Sequence, residues 1–264
     1  MSNNPGPRAP TPYYQDETVT LYHGRFEDVL PTLNITADLI VTDPPYGETS
    51  LAWDTWPKGW PTLAAQHARS MWCFGSMRMF LTQRDEFSDW RLSQDIVWAK
   101  PRGSSTTADR FSRSHEHALY WYRGNWSEIH HDPPRIAYHG PPVSVPRGAS
   151  RPNDGGRVRE SMVARTPYVE IGTRLMLSVI PGKAGDPRHI LNPTQKPLTV
   201  LEPLIHYGCP VGGLVLDLFA GSASTLVAAR NTGRRAIGIE AREDQCEQAA
   251  NRLSQGILFG QVTP

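Results

Sequence analysis

The stretch LVLDLFAGSAST, from Leu214 to Thr225, predicts a buried strand, a tight glycine turn and the start of a helix. The pattern continues with a strand over Arg235–Ile239 and a helix over Glu243–Ser254. Earlier in the chain, Ala37–Thr42 predicts another buried strand. Alternating strands and helices of this kind indicate an α/β protein with a Rossmann-like, doubly wound and mostly parallel sheet.

The glycine turn predicts a pocket for a ligand that carries ribose but no phosphate. Glu240 follows the next strand, about twenty positions after the turn, where a carboxylate accepts hydrogen bonds from ribose hydroxyls. A dinucleotide site is the rival, but it needs a second glycine where this chain has Ala223. S-adenosylmethionine fits the pattern, and Asp217 would help to hold its cationic groups. A purely structural strand-turn-helix is the other alternative.

A second motif, Asp43-Pro44-Pro45-Tyr46, follows the strand Ala37–Thr42 directly. The amino nitrogen of adenine or cytosine is a poor nucleophile because its lone pair is delocalised into the ring. A carboxylate from Asp43 and the Pro44 carbonyl can accept its two N–H groups and free the lone pair for attack on a methyl group. Tyr46 offers a ring for a base taken out of the helix. The alternative is an ordinary Asp-Pro-Pro turn that ends a strand.

Charge is unevenly distributed along the chain. The net charge of the whole chain is +1, but residues 100–190 hold fourteen basic and eight acidic residues, mostly arginines on the basic side. An arginine-rich segment suits a polyanion such as DNA, although a solvated insertion would have the same composition. Three widely spaced cysteines predict neither disulfides nor a zinc site. No signal peptide or membrane span is predicted, so we expect a cytoplasmic protein without a membrane partner.

Four blocks in this order resemble the amino-group DNA methyltransferases of the permuted β-class. The first is Asp43–Tyr46, and the last is Asp217–Thr225. Between them, Ile96–Lys100 with Ser114–Glu116 resembles signatures that flank the family's target-recognition insertion, and Asn192–Pro197 resembles its T-Q-K-P block. The resemblance implies direct methyl transfer from S-adenosylmethionine to an amino group in double-stranded DNA, with S-adenosylhomocysteine as product and no metal.

The resemblance also implies roles for individual residues. Asp43, Pro44, Pro45 and Tyr46 would be catalytic. The cofactor would be bound by His23, Thr194, Gln195, Lys196, Pro197, Asp217, Phe219, Ala220, Gly221, Ser222, Thr225 and Glu240. We interpret Lys196 as a wall of the pocket. Two departures are Arg25, where the family often has aspartate, and Ala223 in place of the second glycine.

We therefore divide the chain into a flexible tail (1–17), a catalytic half (18–100), a target-recognition insertion (101–190) and a cofactor-binding part (191–264). The aspartate before Pro-Pro-Tyr favours N6 of adenine over N4 of cytosine as the target. A non-catalytic DNA-binding relative and a dinucleotide-dependent oxidoreductase are the rival functions. The sequence leaves open whether the protein is a monomer or a homodimer, and whether a restriction endonuclease accompanies it.

Overall fold

The computed structural model describes residues 10–104, 109, 111–140, 143–147, 165–170, 172–182 and 195–259. The chain forms two compact units. The large unit consists of Met1–Asp132 and Ser178–Pro264, and the small unit is Pro133–Leu177. Within the described ranges, no helix is both long and apolar enough to cross a membrane.

Thirteen strands and six α-helices are formed by the described residues. The strands are β1 Tyr14–Gln15, β2 Val19–His23, β3 Leu39–Thr42, β4 Ser70–Gly75, β5 Arg91–Ser104, β6 Arg113–Tyr122, β7 Arg135–Ala137, β8 Val143–Arg147, β9 Arg165–Glu170, β10 Thr173–Leu175, β11 Val179–Pro181, β12 Leu214–Asp217 and β13 Arg235–Glu240. The helices are α1 Phe26–Val29, α2 Trp60–Ala64, α3 Met77–Thr82, α4 Leu198–Gly208, α5 Ser224–Asn231 and α6 Glu243–Phe259. Short 3-10 turns lie at Leu30–Thr32, Arg84–Phe87 and Trp126–Glu128.

The large unit is built on one nine-stranded sheet with the order β1-β2-β13-β12-β3-β4-β6-β5-β11. Strands β2, β13, β12, β3 and β4 pair in parallel, and β11 pairs in parallel with β5. Strand β6 is antiparallel to both of its neighbours, and β1 is antiparallel to β2. The predicted doubly wound, mostly parallel α/β sheet is therefore confirmed.

The central strands are mostly apolar because helices cover both faces of a parallel sheet. All four residues of β3 and all six of β4 are buried. Helix α3 begins at Met77, because the Ser76 hydroxyl accepts the backbone N–H of Met79 at 2.9 Å and caps it. It ends at Thr82, and the chain then turns at Arg84–Phe87 and enters the long strand β5.

The segment boundaries differ from the predicted ones at two places. The range 1–17, expected to be a flexible tail, contains β1. Asp16 fixes the turn after this strand by accepting the N–H groups of Thr18 and Val19, both at 2.8 Å, and by pairing with Arg230. The range 101–190 contributes β6, β11 and the end of β5 to the large sheet.

The small unit has two antiparallel strand pairs, β7 with β10 and β8 with β9. Strand β8 lies within 141–156, a stretch rich in proline, glycine and arginine. In the first pair, the Arg135 guanidinium donates to the Thr173 hydroxyl at 3.1 Å. Whether this unit takes part in target recognition stays a prediction.

Candidate active site

A cavity of about 860 Å³ opens where the central strands of the large unit end. Strands β3 and β12 are neighbours, but the chain continues to β4 on one side and to β13 on the other. Such a switch point leaves a crevice at the carboxyl edge of the sheet, because the connections leave in opposite directions. Asp43, Asp217 and Glu240 lie at the ends of β3, β12 and β13, and all three line this cavity.

Asp43 carries the first carboxylate of the site, and both of its oxygens have partners. The Tyr46 hydroxyl donates to Oδ1 at 2.6 Å, and the Lys196 ammonium donates to Oδ2. Burial, followed by the nearby Asp43 charge, raises the pKa of Tyr46 well above its usual value. Tyr46 is therefore a neutral hydrogen-bond donor at physiological pH, and it fixes the orientation of the Asp43 carboxylate.

Lys196 connects Asp43 to a second carboxylate, Glu116 on β6, at 3.2 Å. The other oxygen of Glu116 pairs with Lys100 on β5. Burial alone would lower the pKa of Lys196, but the Asp43 and Glu116 carboxylates raise it above its usual value. For Glu116, burial would raise the pKa, but Lys196 and Lys100 lower it. Lys196 is therefore protonated and Glu116 ionised at neutral pH, and acidic and basic side chains alternate from Asp43 through Lys196 and Glu116 to Lys100.

Asp54 organises the loop that follows Tyr46. Its carboxylate accepts the backbone N–H groups of Gly47 at 2.9 Å, Glu48 at 3.0 Å and Thr49 at 2.7 Å. Burial would raise the pKa of Asp54, but hydrogen bonds from Thr49, Gly47 and Glu48 lower it. The aspartate is thus ionised and holds the segment beside the catalytic motif in one conformation. Sequence reasoning missed this residue, since an aspartate in a loop is common.

Asp217 is the buried carboxylate of the predicted cofactor pocket. Its Oδ1 accepts the Thr42 hydroxyl at 2.8 Å and the Phe219 backbone N–H at 3.1 Å. Burial raises the pKa of Asp217 to about 6, against the lowering effect of the hydrogen bonds from Thr225 and Thr42. A buried carboxylate with a raised pKa favours a cationic ligand, which restores the balance of charge.

Glu240 faces the glycine turn from the end of β13. Its Oε2 accepts the Gly221 backbone N–H at 2.8 Å, and its Oε1 accepts the Arg242 N–H at 2.9 Å. Burial raises the pKa of Glu240 above its usual value. Two residues after Gly221, Ala223 precedes α5 in a left-handed conformation, with φ of +61° and no exposed surface. The backbone there has the geometry that glycine adopts without strain.

Several aromatic side chains line the cavity or pack against residues that line it. Phe219 packs edge-on against Phe26, with ring centroids 5.4 Å apart, and against Trp60 at 5.7 Å. Trp60 is fully buried and Trp56 is 9% exposed, so both belong to the core. Trp53 is 44% exposed, lines the cavity and lies 5.7 Å from the Arg242 guanidinium.

The cavity brings together most of the residues that the sequence singled out. Its lining includes Asp43, Pro44, Pro45, Tyr46, Gln195, Lys196, Asp217, Phe219, Ala220, Gly221, Ser222, Thr225 and Glu240. Pro197 precedes α4, and His23 contacts the Ala241 carbonyl at 3.2 Å, but neither lines the cavity. Thr194 lies outside the described residues.

Several lining residues were not identified from the sequence as site residues. Among them are Arg25, Lys100, Glu116 and Arg242. Glu116 and Lys100 were noted only as parts of blocks that resemble the family, and nothing in their spacing predicts contact with Asp43 or Lys196. Within the described part of the chain, no group of three or more histidine, cysteine or acidic residues is arranged to hold a metal ion.

Comparisons with known proteins agree with this geometry. Residues 37–251 match the family model N6_N4_Mtase, described as DNA methylase. The chain is 27% identical over 271 residues to Type II methyltransferase M.ScaI of Streptomyces caespitosus, covering 92% of this chain and 83% of that protein. Its fold is similar to that of the solved M1.HpyAVI–SAM complex, with a TM-score of 0.58 and 20% identity over 89% of this chain and 99% of the other.

A second solved structure has a similar fold, the cytosine-N4-specific PvuII DNA methyltransferase. The TM-score is 0.59, with 14% identity over 91% of this chain and 88% of the other. The family model covers well over half of the chain, which confirms the resemblance drawn from the four sequence blocks. The chain belongs to the family of amino-group (N6/N4) DNA methylases.

Proposed function

We propose that this protein transfers a methyl group from S-adenosylmethionine to N6 of adenine in double-stranded DNA. One observation carries the proposal: the Asp43 carboxylate, the buried Asp217 carboxylate and the half-buried Glu240 carboxylate line the same cavity. A single crevice of this size has room for a cofactor and a base side by side. N4 of cytosine is the alternative target.

The residues of the pocket fit S-adenosylmethionine in both charge and shape. Asp217 is 3% exposed, and a buried carboxylate is stabilised by a cationic partner such as a sulfonium or ammonium group. Glu240 has an acidic oxygen beside the glycine turn, where ribose hydroxyls are bound in related α/β folds. Gly221 has φ of +49°, and this allows close approach to the backbone. When bound, S-adenosylmethionine supplies the methyl group as an electrophile on sulfur.

The chain's own groups prepare the acceptor. The Asp43 carboxylate accepts one N–H of the amino group and the Pro44 carbonyl accepts the other, which draws the nitrogen lone pair out of the ring. Pro44 and Pro45 restrict the loop, because the proline ring fixes φ. The Asp43 side chain is 30% exposed and lines the crevice, which supports a mechanism in which the target base is flipped out of the helix to reach it.

The aspartate of the motif supports adenine as the target. Solved structures with similar folds include a cytosine-N4-specific enzyme, so the fold alone does not select adenine. Nucleoside mass spectrometry of DNA from an expressing host distinguishes the two targets. We expect N6-methyladenine, and methylcytosine without methyladenine would refute the adenine assignment.

The activity itself is tested by incorporation of radiolabelled methyl groups into DNA. We expect incorporation by the wild-type protein and a loss of at least a hundredfold in Asp43→Ala, on the order of the 3 to 4 kcal/mol that removal of one preorganised polar contact costs. Asp89→Ala, at an exposed position outside the cavity, is the matched control. No incorporation into any DNA by an S-adenosylmethionine-binding protein would favour a non-catalytic relative. Binding of NAD without binding of S-adenosylmethionine would favour an oxidoreductase.

We extend the proposal to the remaining parts of the chain. Residues 101–190, with their excess of basic residues, would contact DNA and contribute to target recognition. The relatives include proteins named as Type II methyltransferases, which supports a place in a restriction-modification system. The catalytic and cofactor-binding roles given to individual residues, including cofactor binding by His23, Thr194 and Pro197, are part of this proposal.

A further inference from the structure

The resting site presents a problem for the proposed reaction, because the acceptor carboxylate is already occupied. Oδ1 of Asp43 accepts the Tyr46 hydroxyl, and Oδ2 accepts the Lys196 ammonium. An amino group of a base donates a weaker, uncharged hydrogen bond than an ammonium does. An entering base therefore competes with Lys196 for Oδ2, and the outcome depends on where Lys196 goes.

Lys196 has little access to water. Its side chain is 9% exposed, and its ammonium lies 5.3 Å from the centre of the Phe74 ring. A buried ammonium without a carboxylate partner is destabilising, so movement of the Lys196 ammonium from Asp43 to an apolar position is unfavourable. A second acceptor within reach removes this cost.

Glu116 is that second acceptor. Its Oε2 lies 3.2 Å from the Lys196 nitrogen, while its Oε1 is held by Lys100. The Glu116 side chain is 13% exposed, and its backbone pairs with Trp98 in the ladder of β5 and β6. Glu116 is therefore fixed in place, and a small rotation of the Lys196 side chain moves the ammonium from one carboxylate to the other.

We propose that Lys196 is a movable counter-ion of Asp43, which the incoming amino group displaces onto Glu116. Lys196 and Glu116 are positioning residues in this scheme, and Asp43 is the residue that contacts the substrate. The inference rests on the proposed methyl transfer. It assigns to Lys196 a role at the target-base side of the cavity. It also explains the burial of Glu116 beside a cation, since Glu116 accepts the ammonium that leaves Asp43.

The kinetic test is a double-mutant cycle on the full-length protein, read as the single-turnover rate of methyl incorporation at saturating DNA and S-adenosylmethionine. We expect Glu116→Gln to slow this rate at least tenfold, because Lys196 then stays on Asp43. In a Lys196→Met background the same substitution changes the rate less than threefold, because no cation is left to move. Equal losses in the two backgrounds would overturn the proposal, since Glu116 would then act independently of Lys196.

Two further measurements separate this role from cofactor binding and from folding. Calorimetric affinity for S-adenosylmethionine should change less than twofold in Glu116→Gln, and a larger loss that accounts for the slower rate would also overturn the proposal. Glu128→Gln is the matched control, because it breaks an exposed ion pair with Arg69 at 2.9 Å outside the cavity. Should Glu116→Gln fail to fold, Glu116→Asp replaces it. We expect Glu116→Asp to slow the single-turnover rate at least threefold in the wild-type background and to leave it unchanged in the Lys196→Met background.

A measurement without substrate keeps the proposal distinct from the activity. In urea unfolding of the ligand-free protein, we expect Lys196 to couple with Asp43 and with Glu116 by at least threefold each in the folding equilibrium constant. Absence of either coupling would overturn the shared counter-ion. Both couplings in a protein that binds S-adenosylmethionine but transfers no methyl group would refute the proposed function, and the displacement step with it.

Discussion

Replacing Asp54 with asparagine tests how far the loop beside the catalytic motif depends on one carboxylate. Oδ1 of Asp54 accepts the Gly47 N–H, and Oδ2 accepts those of Glu48 and Thr49. Asparagine keeps the size of the side chain but has only one carbonyl oxygen. Its amide NH₂ therefore faces at least one backbone N–H. Both groups are donors, so no hydrogen bond forms between them.

The magnitude follows from the three bonds. A hydrogen bond to a charged group contributes about 1.5 to 3 kcal/mol, and an ordinary one about 0.5 to 1.5 kcal/mol. The asparagine side chain would retain two bonds of the weaker kind and lose the third, so we expect the ordered loop to lose at least about 3 kcal/mol. Because 1.4 kcal/mol corresponds to a factor of ten, the ordered state becomes at least about a hundredfold less populated relative to open states.

The assay is the single-turnover rate of methyl transfer, with the thermal unfolding midpoint measured in parallel. We expect Asp54→Asn to slow transfer at least tenfold, while the midpoint changes by only a few degrees, because the loss is confined to the loop. Asp89→Asn is the matched control at an exposed position. A rate within twofold of the wild type would refute the view that these three bonds hold the catalytic loop.

Three further outcomes are expected. Burial raises the pKa of Asp217 to about 6, so the ligand-free protein loses stability as the pH rises through 6. Calorimetric affinity for S-adenosylmethionine should weaken as the pH falls below 6, by up to about tenfold per unit. A constant affinity from pH 5 to 7 would contradict this expectation. Ala223→Val should lower the free energy of unfolding in urea by at least about 2 kcal/mol, because a β-branched residue is strained at positive φ and residue 223 is fully buried. Ala223→Gly should change this free energy by less than about 1 kcal/mol. Burial raises the pKa of both Cys209 and Cys246 to about 12 and that of Cys73 well above its usual value, so a disulfide reagent should label these thiols slowly in the native protein and rapidly in urea.

Strand ends were the part of the site that could be predicted from the sequence. Asp43, Asp217 and Glu240 each follow a short apolar run, and parallel strands bring such positions to one edge of the sheet. Local pattern is sufficient for this inference, because the burial of a strand and the turn after it are encoded within a few residues. The aspartate and the two prolines also indicate the chemistry without help from distant parts of the chain.

Contacts between distant residues could not be predicted in the same way. Lys196 pairs with Asp43 across 153 positions. Glu116 reaches the same ammonium because the strand order β3-β4-β6 places β6 close to the end of β3, where Asp43 lies. The order of strands decides which charges meet, and hydrophobic periodicity does not specify that order. The end of β5 after Ala99 shows the same limit, since Ser104 pairs with Arg113 of β6 beyond an irregularity in the ladder, and no local pattern specifies that pairing.

Strand β6 runs against its neighbours, so β5 and β6 are joined by a hairpin at the edge of the sheet that holds Asp43. Lys100 and Glu116 are held by the strand ladder, in which Ala99 pairs with His115 and Trp98 with Glu116. The register of the two strands therefore sets the distance between this cation and this carboxylate, and with it the position of the acceptor beside Lys196.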